Sequence, residues 1–388
     1  MTSRFPYGPG EAFLGPEIAA HLRAGWDVAV FPAIRRGRLG HVDSTALSHV
    51  VDYPPRARVA KDFVRLFGRE RIARQTVRST LFARQPLRAR PRNAAVTGRL
   101  GALVGLLRRT SAEHLHVHWG GASSTLGMMA AETLGIPWSL SLHRWDIFAN
   151  NLLAEKVHSA TFTRVISQAS VDAVRAVVAG ASPVVVHMGV ELPALPPSPA
   201  PVRACRLVCV ASLLPVKDHA TLLRAFAIAA ADQPATLDLV GSGPLESPLR
   251  ALVRELGLDD RVSLVGAVDH VNLLGRLSSG DWDAVVLSSK DDGSEREGIP
   301  VSVMEAMAVG LPAVATNSGS THELVHEGTG LLVPPGDVQE LAAQLRRIIS
   351  DAPLRARLGA ASRAWVEEAF AVDRVAAELR TLMMGSAR

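Results

Sequence analysis

Two glutamates eight residues apart, Glu297 and Glu305, lie in the stretch EGIPVSVMEAMAVGLPAVAT. Residues 301–309 are predicted to be helical and to stop at Gly310 and Pro312, which sets the carboxylates roughly 12 Å apart along an ideal helix axis. Groups so spaced cannot share one proton transfer, but they can grip two separated sets of hydroxyls on one elongated ligand such as a nucleotide sugar. Gly298, Ile299, Pro300 and Val301 form the helix N-terminus, whose free amides suit a phosphate or the electronegative edge of a sugar. Each acid also has a plainer reading, Glu297 as an N-terminal helix charge and Glu305 as a surface residue. Glu305, however, is flanked by Met304, Ala306 and Met307 on a helix apolar nearly all round. It is expected to be buried or cleft-facing, and a buried acid needs a partner.

Other candidates sit just after apolar runs that read as strands. His143 ends IPWSLSLH, and His118 falls near the end of HLHVHW; a lone histidine at a strand end is more often structural than catalytic. Gly241-Ser242-Gly243-Pro244 follows TLDLVG but lacks the third glycine of a dinucleotide fingerprint. It supports close backbone approach, with Pro244 placed in the first helical turn. Asp281-Trp282-Asp283 imitates a metal-binding Asp-x-Asp, yet it leads into a strand instead of following one, so a solvated helix-to-strand corner is the better account. Cys205 and Cys209 share one face of a predicted strand about 13 Å apart, too far to bridge, and without neighbouring His or Cys they make a poor metal site. No metal is expected.

The elements that must position these residues are those of an α/β protein. With 388 residues, 48% hydrophobic and 20% charged, the chain is a globular protein of about two domains by size. Segments 26–33, 114–119, 136–143 and 182–189 read as strands before the proline-rich stretch LPALPPSPAP, and 206–212, 236–241, 261–266, 283–289, 311–317 and 330–334 after it. Helical patterns between them give βαβ units and parallel sheets. The expected division is an N-terminal Rossmann-like domain over 1–190, a linker over 191–203, a second Rossmann-like domain over 204–371, and a final helix over 372–388. Almost nothing precedes FPYGPGE, where a doubly wound domain normally opens with an apolar strand. No uninterrupted apolar run of 18 residues and no secretory signal pattern are found, so a cytoplasmic location is expected.

Charge is unevenly spread. Between Lys61 and Arg92 stand ten basic residues against two acids, a local excess greater than the net +5 of the whole chain. The arginines fall three or four apart with apolar residues between them, as in an amphipathic helix or helical pair. A solvated face with Arg stems lying over apolar neighbours is the favoured account. A surface for anionic lipid headgroups or an anionic acceptor, giving peripheral membrane contact through 61–92, is the sharper one. Nucleic acid is not expected, because no aromatic platform accompanies the charge.

Taken together, EGIPVSVMEAMAVGLPAVAT, VCVASLLPVKDHATLLRAF, LDLVGSGPLE, RVSLVGAV, HELV and TGLLVPPGD resemble the retaining glycosyltransferases of the GT-B fold, family 4, also called glycosyl transferases group 1. The N-terminal half resembles them more sparsely, in FPYGPGEAFLGPEI, HVHWGG, SLHRWDI and VVVHMGVE. The resemblance implies two Rossmann-like parallel-sheet domains facing a central cleft, with the last helix packing back on the first domain. It implies that Lys217 holds the donor diphosphate, Glu297 meets the donor sugar, Glu305 the ribose hydroxyls, and the amides of the Gly298-Ile299-Pro300-Val301 turn, to which Pro300 adds no N–H, the sugar or phosphate. Gly241 and Gly243 go to the donor site, and the backbone around Leu264 to Gly266 reads the base. Gly10, in Gly8-Pro9-Gly10, approaches the diphosphate, and His143 stands near the reaction centre. Many members carry an arginine where this chain has Ser212, whose hydroxyl donates but bears no charge.

The implied activity is transfer of a sugar from a nucleotide-diphosphate sugar, UDP- or GDP-linked before others, to an acceptor hydroxyl. It is metal-independent and needs no further cofactor, with same-face attack through an oxocarbenium-like state. The acceptor is a lipid-linked sugar, a polysaccharide or a small metabolite. Two rivals are a GT-B nucleotide-sugar epimerase and a non-catalytic nucleotide-sugar-binding partner subunit.

Overall fold

The computed structural model describes residues 1–7, 11, 13–34, 44–51, 54–195, 204–291 and 297–385. Backbone contacts divide the chain into two units, one of Met1–His187 with Val375–Arg388 and the other Met188–Arg374. Most of the proline-rich stretch, residues 196–203, lies outside the described residues, as does Gly10.

Unit 1 carries four parallel strands, β1 Leu115–His118, β2 Trp138–Leu142, β3 Phe162–Val165 and β4 Val184–Val185, side by side in that order. Its core packs Leu103, Val117, Leu126, Met129, Leu140 and Val165 between the sheet and its helices. Two expectations need correction here. Segment 26–33 forms no strand: among the described residues it pairs only through the single bridges Val30 to Val50 and Thr2 to Pro32. Pro32 has no N–H to extend a ladder. Conversely, β3 was not expected, because Thr163 and Arg164 interrupt its apolar pattern. Both are nevertheless buried, and Arg164 is fully so. From Val375 onward the last helix, Val372–Gly385, groups with unit 1, where Arg380 donates to the carbonyl of Ala20.

Unit 2 carries six parallel strands: β5 Cys205–Val210, β6 Ala235–Val240, β7 Val262–Gly266, β8 Ala284–Leu287, β9 Ala313–Thr316 and β10 Gly330–Val333. Their order is β10-β9-β8-β5-β6-β7. They read as near-continuous apolar runs because helices cover both faces. Leu207, Cys209, Phe226, Leu237 and Val286 form one core layer, and Val208, Val285, Val303 and Met307 the other. Cys205 and Cys209 are buried free thiols within β5. After β5 the chain proceeds outward to β6 and β7, and β8 returns to the other side of β5, so the order reverses between β5 and β8. In open α/β sheets, ligands bind outside the carboxyl ends of the strands at such a reversal. Among the described residues no helix is long and apolar enough to cross a membrane.

Candidate functional site

The β5/β8 reversal is where the sequence candidates of unit 2 gather. Beyond β5 the chain makes a short 3-10 turn, Pro215–Lys217, and then Asp218 in the left-handed region starts the helix His219–Ala229. Residues just beyond β8 hold that turn from the side. Ser288 donates to the carbonyls of Lys217 and Asp218 at 2.9 and 3.1 Å, and the Lys290 amide donates to Val216 O at 2.8 Å. The ammonium of Lys217 thereby reaches Oε2 of Glu297 at 2.5 Å, and Ser289 donates to the same oxygen at 2.6 Å. Both charged side chains are only partly exposed, so water screens their attraction less than at a free surface.

Glu297 leads into the helix Val301–Ala308 with Pro300 at its N-cap, and the turn beyond closes through Gly310 at φ +80°. The Glu297 amide faces Ser318 Oγ at 3.4 Å. The amides of Gly298, Ile299 and Val301 carry no hydrogen bond among the described residues. Three unsatisfied N–H donors beside a lysine make a seat for an anion. Glu305 sits about one turn into this helix, and its Oε1 lies 2.7 Å from Nε2 of His270. That contact raises the pKa of His270, more than burial lowers it.

The glycines expected at the donor site do a different job nearby. A Cβ on Gly241 would fall 1.9 Å from Ala211 O, and one on Gly243 would fall 2.5 Å from Leu213 O. The loop after β6 thus packs backbone against backbone on the loop carrying exposed Ser212. Gly266 takes φ +84° and accepts the Gly241 amide. Gly319 is as tightly constrained: a Cβ there would lie 1.8 Å from Glu297 O. The Asp281-Trp282-Asp283 corner is structural. Asp281 pairs with Arg276 at 2.8 Å, Asp283 accepts the Arg206 amide at 2.8 Å, and the Trp282 indole donates to Asp238.

In unit 1, His143 follows β2, and its amide donates to Asp146 at 2.9 Å. The ring stacks on Trp119 with centroids 4.1 Å apart and lies 5.5 Å from Phe13. Burial lowers its pKa to about 3, with nearby His118 adding to the effect, so the imidazole is neutral. Nε2 of His143 and Nδ1 of His118 are buried without partners among the described residues. Trp119, just after β1, is held at φ +74°, a region costly for a bulky residue. Beneath it, His118 Nε2 lies 3.3 Å from Glu17, whose other oxygen takes Arg164 at 2.8 Å. Burial alone would raise the pKa of Glu17, but Arg164 and His118 hold the carboxyl well below its ordinary value. Glu17, His116 and His118 have the spacing of metal ligands. Both ring nitrogens of His116 already face Ser139 and Ser141, however, and the Arg164 guanidinium is positive beside them; the set suits a closed polar core better than a cation.

The sequence did not disclose Ser289, Ser318, Gly319, His270, Glu17 or Arg164. Ser289 and Ser318 stand just past strand ends, which was the one available signal. The others are joined by contacts remote in sequence.

Comparison with solved structures defines the class of fold. The chain superposes on the Anabaena protein HepE in complex with UDP-glucose over 99% of both chains, with a TM-score of 0.67 at 21% identity. The fold is α/β, with two parallel-sheet units of the GT-B type. Within it, residues 198–365 match the family Glycosyl transferases group 1. Among characterised relatives, a GDP-mannose-dependent monoacylated alpha-(1-6)-phosphatidylinositol monomannoside mannosyltransferase of Corynebacterium glutamicum is 31% identical over 183 residues, 47% of this chain and 48% of that protein. The N-acetyl-alpha-D-glucosaminyl L-malate synthase of Bacillus anthracis is 30% identical over 177 residues, 45% of this chain and 44% of that protein. This chain thus spans about half the length of the relatives it matches.

Proposed function

We propose that this chain is a retaining glycosyltransferase that moves a sugar from a UDP- or GDP-sugar to an acceptor hydroxyl without a metal. The observation that carries this reading is the Lys217–Glu297–Ser289 cluster beside the free amides of Gly298, Ile299 and Val301. When the bond from anomeric carbon to diphosphate breaks, negative charge grows on the leaving oxygen. An ammonium and fixed N–H groups stabilise that charge directly, which is the role a metal otherwise fills. Glu297 then exchanges its lysine partner for the donor sugar's hydroxyls, and Glu305 takes the ribose. Attack comes from the same face as departure, through an oxocarbenium-like state, and the protein's work is orientation and charge stabilisation.

The acceptor in this reading is lipid-linked, and the chain works in the cytoplasm at the inner face of a membrane. The helices Arg56–Arg69 and Arg71–Phe82 and the turn beyond them expose Val64, Ile72, Phe82 (83% exposed) and Leu87 among arginines. Apolar side chains interleaved with cations fit an anionic lipid surface. Relatives named for phosphatidylinositol mannoside substrates support the same choice.

Donor binding is tested by thermal shift with UDP- and GDP-sugars; a ligand at a hundred times its dissociation constant adds about 2.7 kcal/mol. Transfer that survives chelation, with the product anomer read by NMR as retained, supports the mechanism. Inverted product or a strict metal requirement sinks it.

A further inference from the structure

The proposed donor site leaves unexplained why Glu305, on an almost wholly apolar helix, points one oxygen at a histidine. His270 opens the helix His270–Ser278, which follows β7 directly. Its position is fixed by Asp269, whose carboxylate accepts the Asn272 amide at 3.0 Å. From there Nε2 meets Oε1 of Glu305 at 2.7 Å, with the carboxylate 11% exposed. Oε2 has no hydrogen bond among the described residues. A carboxylate tethered by one oxygen keeps a fixed plane, and its second oxygen can accept from one or both hydroxyls of a vicinal diol. A glutamate free to rotate would lose that orientation and with it part of its binding.

We propose that His270 is a positioning residue of the donor site. By holding Oε1 of Glu305, it presents Oε2 to the ribose hydroxyls and makes the site selective for ribonucleotides over deoxyribonucleotides. This rests on the reading of Glu305 as the ribose-binding acid. The charged groups facing His270 are Glu305 and Asp269, and both favour the imidazolium that strengthens the tether.

The test is calorimetric binding of UDP and GDP and of their 2′-deoxy and 3′-deoxy forms to the full chain. The wild type, His270→Ala, His270→Gln and Glu305→Ala are compared, and each is checked for a single cooperative unfolding transition well above the assay temperature. The wild type is expected to prefer the better-bound ribonucleotide over its deoxy forms by about tenfold or more. His270→Ala should bring that preference within about threefold and raise the donor KM with kcat little altered. His270→Gln, which keeps a donor toward Oε1, should restore most of the preference. A merely structural histidine would weaken ribo- and deoxynucleotides alike and leave their ratio intact. If Glu305→Ala abolishes the preference and His270→Ala does not, the role of His270 is overturned alone. If neither changes it, the ribose reading of Glu305 falls as well. If the wild type binds neither UDP nor GDP, the proposed function fails with them.

Discussion

The strand edge carrying His143 and the strand edge carrying Lys217 bury polar groups by different means. In and around the sheet of unit 1, charge is suppressed or locked. Burial lowers the pKa of His21 and His114 to about 4 and that of His143 to about 3, and pushes His116 and His118 down as well. Lys156, fully buried, falls to about 7, with Asp146 opposing, while it donates to the carbonyls of Gly120 and Gly121. In the connections that follow the strands of unit 2, charges are paired yet partly exposed, as in Lys217 with Glu297 and His270 with Glu305. The first arrangement fixes a geometry and resists change. The second leaves its ions within reach of solvent.

The comparison breaks most sharply at Glu17. Glu17→Ala should cost about 3–5 kcal/mol in urea denaturation, because it takes the carboxylate away from the buried Arg164 guanidinium; a loss under 1 kcal/mol would show that the pair is not structural. Lys217→Ala should lower transfer by about 100-fold or more, some 2.7 kcal/mol or above in transition-state energy, at unchanged melting temperature. An equal fall in stability and activity would place Lys217 with the structural group.

Stability against pH sharpens the contrast further. His21, His114 and His143 have folded values below the ordinary 6.5, so the unfolded chain binds more protons between about 4 and 6.5. Stability should therefore fall as pH drops through that window. Asp146, raised to about 6 by burial against its hydrogen bonds from Gly120 and His143, opposes part of the fall, since its carboxyl is easier to protonate when folded. His270 has the opposite sign to the unit 1 histidines. Its contribution is complete below 6.5 and is lost as pH rises through its raised value. Denaturation midpoints across pH 4.5–8 should flatten on the acid side in His143→Phe and on the alkaline side in His270→Gln. The smallest effect is expected from Ser289→Ala, about 1 kcal/mol in donor affinity through one lost hydrogen bond to Glu297.

Much of unit 2 was legible in the chain because its signals are local. Pro300 and Gly310 bracket one helix, apolar runs mark six strands, and Lys217 and Glu297 lie in the connections that follow β5 and β8. Their meeting was not written in any short pattern, since 80 residues separate them. The same holds for His270 and Glu305 at 35 residues and for Glu17 and Arg164 at 147. Unit 1 was harder for a physical reason. Arg164 looks like a solvent residue until one knows that Glu17 and the carbonyls of Val186 and His187 await it inside. Segment 26–33 looks like a strand but finds only single-residue bridges.

One consequence follows from the cysteines of β5. Both sulfurs are enclosed, and burial lifts the Cys209 thiol to about 12. Alkylating reagents attack the thiolate, so neither position should be modified while unit 2 stays closed. The strand that delivers Lys217 thereby contains its own clock: the rate at which iodoacetamide marks Cys209 reports how often that layer breathes open, with no label added.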